Sequence, residues 1–206
     1  GVLAAVIFII AIIAQIILPS VQGEKRTTTN SPFYIIRNKS VIICLVLTLL
    51  TIMAHYGLYT YISPLVEYFK FASGIKLASI LFGIGTLISV FIAAKVVDTN
   101  LGALIIFMLT LAFGTMLIFV GFKGMMYISH SAFLLWGISF GSLVTIFQAA
   151  VTKQVETGKD VATSLQSSTF NFGIVFGSAL GGFILDSSSV FYIIYASMIL
   201  LVVPIL

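Results

Sequence analysis

Charge is what this chain has least of. Its 206 residues include ten Lys or Arg and six Asp or Glu, and these lie between long apolar runs. A charge at the centre of a bilayer costs ~2.5–3.5 kcal/mol even on the mildest insertion scale, so charged positions mark where the chain surfaces. Cysteine is nearly absent. Cys44 is alone, which excludes an internal disulfide, and with only two histidines beside it there is no ligand set for a structural metal. No Gly-x-x-x-x-Gly-Lys-Ser/Thr loop occurs, so ATP-driven transport by this chain has no support and no cofactor is expected. His-Glu-x-x-His is missing, and no pair of aspartates falls within an apolar run. Gly137-Ile138-Ser139 is followed by Phe140, where a rhomboid-type protease needs glycine, and both histidines precede that serine. An enzyme is not expected.

What remains is apolar: 60% of residues are hydrophobic and mean hydropathy is +1.22, far from a soluble core. Crossing ~30 Å of hydrocarbon takes about 20 apolar residues in a helix. Runs at 2–18, 41–62, 74–97, 101–122, 129–152, 161–184 and 190–206 qualify, the first and last being somewhat short. Lipid offers backbone groups no water, so each run is expected to be helical. The expected fold is therefore an all-α, polytopic membrane protein of about seven spans. Gly1 is not an initiator and Leu206 ends within an apolar run, which suggests part of a longer chain.

Basic residues orient the spans. Lys25, Arg26, Arg37, Lys39, Lys95, Lys153 and Lys159 fall on one side, and Lys70, Lys76 and Lys123 on the other. The richer side is expected to be cytoplasmic, with the C-terminus inside and the protein in the cell (inner) membrane. This bias accounts for the net charge of +4, so nucleic acid is not implied as a partner. The hydrophilic stretch 22–40 reads as a flexible cytoplasmic linker dividing one helix from six.

Small residues recur at four-residue spacing. Gly173, Gly177 and Gly181 form the clearest row and Gly137 with Gly141 a second, while Gly83 and Gly85, two apart, thin the third span. Such ridges allow close approach of helix backbones in lipid. On another face of the sixth run lie Ser164, Ser168, Asn171, Val175 and Ser178. Asn171 either bonds across helices or lines a wet cavity, and Gln148 on the fifth run is similar. His55 is the one titratable side chain well inside a span, about 21 Å along its helix from Val41, with Tyr59 one turn beyond. It is either a neutral histidine bonded to a neighbouring helix or a functional group.

The stretch Tyr59-Thr60-Tyr61-Ile62-Ser63-Pro64 is similar to the exit of the first C-terminal-half helix in major facilitator superfamily transporters of the bacterial sugar- and drug-efflux branch. Leu81-Phe82-Gly83-Ile84-Gly85 and then Lys95 to Asn100 resemble that branch's eighth helix and its following loop. Asp98 fits the acidic position of that loop, while Ala94 stands where the family has glycine and Thr99 where it has arginine. The strongest match runs from Ala162 through Ser168, Asn171 and Gly173 to Gly181-Gly182 and Asp186, which is similar to the family's eleventh helix.

The resemblance implies the last helix of an N-terminal half (1–21), a central cytoplasmic loop (22–40) and the C-terminal six-helix half (41–206) of a twelve-helix antiporter. It implies alternating access about a midplane site lined by this half's first, second, fourth and fifth helices, with the remaining N-terminal half, a small-molecule substrate, protons and lipid as partners. His55, Tyr59, Gln148 and Asn171 are then candidate cavity contacts. The row Gly173, Gly177 and Gly181 is a sliding helix contact. The function implied is proton-coupled efflux of a sugar, nucleoside or amphipathic drug. The alternatives are an uptake carrier of the same fold or a non-transporting membrane scaffold or fragment.

Overall fold

The computed structural model describes residues 2–17, 31–71, 73–122 and 125–206, and these are helical with no strand among them. In chain order the helices are α1 (Val2–Ile17), α2 (Pro32–Ile35), α3 (Lys39–Tyr59), α4 (Ile62–Tyr68), α5 (Gly74–Val96), α6 (Leu101–Gly121), α7 (Met126–Phe140), α8 (Leu143–Thr152), α9 (Lys159–Ser187) and α10 (Val190–Ile205). Among the described residues five stretches are long and apolar enough to cross a membrane, α7 and α8 together forming one over Ile128–Thr152, and α1 and α10 are shorter apolar helices. The protein is a multi-pass membrane protein.

Polar residues set the helix starts. Asn38, Asn100 and Ser189 each accept a bond from a backbone N–H of the first turn of α3, α6 and α10. Ser31 does the same for α2, whose first residue, Pro32, has no N–H to lose there. Much of 22–40 lies outside the described residues, but from Ser31 onward the chain is anchored. Ile35 is 2% exposed, in a small apolar cluster with Val41, Val151 and Ala162. The free-linker expectation is corrected for this part of it.

Two close helix pairs frame the bundle. α9 lies along α3, and α5 lies along α7. α10 closes one side against α3 and α6. The main core fills the space between them with Leu58, Met108, Met116, Phe133, Trp136 and Ile193, all fully buried. Both close pairs are made by glycines. A Cβ at Gly177 would stand 2.6 Å from the Met53 carbonyl oxygen, and one at Gly181 would meet the Gly57 carbonyl. A Cβ at Gly137 would meet the Phe82 carbonyl, and one at Gly85 the Leu134 carbonyl. Gly83 has nothing within 4 Å of its Cβ position, so of the two glycines that thin the third span only Gly85 serves packing.

Polar ties hold α3 at both ends. At one end the Asn38 amide donates to the Gln154 carbonyl at 2.8 Å, beside the end of α8. At the other end the helix breaks at Thr60–Tyr61. There the Tyr61 hydroxyl donates to the Ser178 carbonyl at 3.0 Å, and the Thr60 and Ser178 hydroxyls share a bond of 2.8 Å.

Candidate functional site

Between the two glycine-packed pairs opens a cavity of about 200 Å³. α3 gives it Ile52, His55, Tyr56 and Tyr59, and the spacing of three and four keeps Ile52, His55 and Tyr59 on one face of that helix. α5 contributes Phe82 and Thr86, the α7–α8 span contributes Phe140, Gly141 and Val144, and α9 contributes Phe170. None of these residues is Asp, Glu, Lys or Arg.

His55 sits at the centre of the aromatic side. Its ring stacks on Phe140 with centroids 4.4 Å apart and planes 24° apart, and on Tyr59 at 5.2 Å and 25°. The Trp136 ring meets it edge-on at 5.6 Å and the Tyr56 ring at 4.9 Å. His55 is 7% exposed, and its Nδ1 has no hydrogen-bond partner among the described residues. A buried polar atom left unpaired costs about 1–3 kcal/mol, so the site gains whenever water or a ligand supplies a partner. The Thr86 hydroxyl, by contrast, is satisfied by the Phe82 carbonyl at 3.1 Å.

His55 and Tyr59 thus share the cavity wall, while Gln148 and Asn171 do not belong to it. Gln148 is half-buried on α8, where its carbonyl accepts from the Thr152 hydroxyl at 3.0 Å. Asn171 is exposed on α9 and donates to the Ser167 carbonyl of its own helix at 3.0 Å, with no bond to another helix among the described residues. It lies in a separate groove of about 300 Å³ with Ser168, Phe172 and Val175. Ser164 and Ser168 likewise bond back to the carbonyls of Asp160 and Ser164. Asp98 is exposed in the turn from α5 to α6. Beside it the Lys153 ammonium donates to the Val97 carbonyl at 3.4 Å, which links the ends of α5 and α8.

Phe82, Phe140, Phe170 and Thr86 are cavity residues that sequence reasoning passed over. Phe140 directly precedes Gly141, a packing glycine, and that adjacency is the one signal the sequence offered; Phe82 precedes Gly83, which has open space at its Cβ position.

No family model matches the chain. Curated relatives do. The chain is 25% identical to a probable sugar efflux transporter of Helicobacter pylori over 195 residues, which are 94% of this chain and 50% of that protein. It is 27% identical to a probable sugar efflux transporter of Mannheimia succiniciproducens over 186 residues, 88% of this chain and 45% of the relative. It is 30% identical to a chloramphenicol efflux pump of Mycobacterium tuberculosis over 162 residues, 74% of this chain and 39% of the pump. The chain spans about half the length of the curated relatives it matches. These matches bear out the resemblance to efflux carriers of the major facilitator superfamily.

Proposed function

We propose that this chain supplies the C-terminal half of a secondary transporter that exports a small molecule in exchange for protons by alternating access. One observation carries the reading: the His55 cavity, walled by rings from α3, α5, the α7–α8 span and α9, and left open. In a two-half carrier that opening faces the other half across the midplane. The names of the relatives point to a sugar or an amphipathic drug as cargo. In this reading the ends carrying Asn38, Asp98 and Lys153 are cytoplasmic, as is the C-terminus, and the protein resides in the inner membrane. The segments 1–21, 22–40 and 41–206 are then the last helix of the first half, the central loop and the second half.

Transport by the full-length protein in everted vesicles tests this. An imposed pH gradient, acidic inside, drives accumulation of a labelled sugar or of chloramphenicol. His55→Ala changes the pH dependence of that flux. A gradient without effect on either compound contradicts proton-coupled export, and an unchanged pH profile reduces His55 to packing.

A further inference from the structure

The span Ile128–Thr152 is apolar enough to cross as one helix, yet it breaks at Gly141–Ser142. The Gly141 N–H still bonds the Gly137 carbonyl at 2.9 Å, and the Ile146 N–H bonds the Ser142 carbonyl at 3.0 Å. The helical ladder therefore runs up to the break and resumes beyond it. At the break the Ser142 amide leaves the ladder and donates to Ser89 Oγ on α5 at 3.1 Å. The two hydroxyls share a second bond of 2.7 Å. Both serines are buried.

The two arms of the span pack on different neighbours. α7 lies on α5 and α6, whereas α8 lies chiefly on α9 and α3. Phe140 and Gly141, just before the break, and Val144, just after it, all line the cavity. The bend angle therefore sets where the Phe140 ring meets His55 and how far Val144 stands from it. A backbone amide freed inside a bilayer finds no water. Without an acceptor from α5, it must either rejoin its own helix, which straightens the span and moves α8, or stay unpaired.

We infer that Ser89 is a positioning residue: its hydroxyl latches the bend between α7 and α8 and so fixes Phe140 and Val144 in the cavity wall. Its consequence for cargo rests on the transport reading, but its test does not. Ser142→Ala removes the hydroxyl–hydroxyl bond and keeps the amide on Ser89, whereas Ser89→Ala removes both. If the pair served only to fill space, the two variants would behave alike.

Amide hydrogen exchange on the purified protein in lipid nanodiscs separates these cases. The wild-type Ser142 amide is expected to be protected although no helical carbonyl accepts it. In Ser89→Ala, exchange over 141–146 is expected to rise roughly tenfold or more, and in Ser142→Ala by less than about threefold, with α3 and α9 unchanged in both. Equal responses in the two variants, loosening spread into α3 and α9, or a rapidly exchanging wild-type Ser142 amide would each overturn the assignment. The last readout stands even if Ser89→Ala fails to fold. None of them needs a cargo, so failure here is distinct from failure of transport.

Discussion

The Gly177 backbone lies so close to Met53 that a methyl on Gly177 would stand 2.6 Å from the Met53 carbonyl oxygen. The obstacle is backbone on a packed helix, which cannot swing aside as a side chain can. α9 and α3 are therefore held at a separation that only glycine permits, and the cavity beside them depends on it.

Gly177→Ala is expected to destabilise the protein by about 1–3 kcal/mol, the usual cost of overpacking. Thermal unfolding in detergent measures it. Gly83→Ala, a control on α5 with open space at its Cβ position, is expected to leave the midpoint unchanged or slightly raised.

Lys70 closes α4 with a positive φ of 48°. The Phe71 N–H bonds the Val66 carbonyl and the Lys70 N–H the Glu67 carbonyl, the paired pattern of a Schellman turn whose left-handed position favours glycine. Lys70→Gly is expected to stabilise by roughly 0.5–1 kcal/mol, seen as a raised unfolding midpoint.

Tyr61→Phe keeps the ring against Gly181 and Gly182 but deletes the bond to the Ser178 carbonyl. The expected loss is about 0.5–1.5 kcal/mol. A double-mutant cycle with Thr60→Val, which severs the neighbouring hydroxyl bond to Ser178, should show the two contacts coupled.

His55→Phe preserves an aromatic ring in the stack on Phe140 and Tyr59 while removing the unpaired Nδ1. The expected outcome is a folded protein with an unfolding midpoint near that of wild type and weakened cargo affinity. A large fall in the midpoint with affinity unchanged would assign His55 to the core alone.

The spans were legible because charge and apolar length obey the bilayer's own rule, and the glycine rows because only packing explains such regular small residues within apolar helices. Gly173, Gly177 and Gly181 all meet α3 as their spacing suggests. His55 and Tyr59 stood out as polar groups one turn apart in an apolar run. The break at Gly141–Ser142 was hidden, because the apolar run is continuous there and the group that satisfies the freed amide comes from Ser89, far away in sequence. The aromatic walls were hidden for another reason: Phe82 or Phe140 in a cavity has the same local pattern as Phe91 or Phe183, which the bundle leaves exposed. Asn171 stayed open between two readings because a polar side chain in a span can also satisfy itself on its own helix, as its bond to the Ser167 carbonyl does.

The most direct test of the central claim asks whether cargo occupies the His55 cavity. In the full-length protein carrying Cys44→Ala, a cysteine is placed at Phe170 in the wall and, separately, at Phe91 on the exposed face of α5. Alkylation by a small maleimide is then followed with and without a transported sugar or drug. The account predicts that cargo slows labelling at position 170 and leaves position 91 unchanged. Equal labelling at position 170 with and without saturating cargo would contradict it.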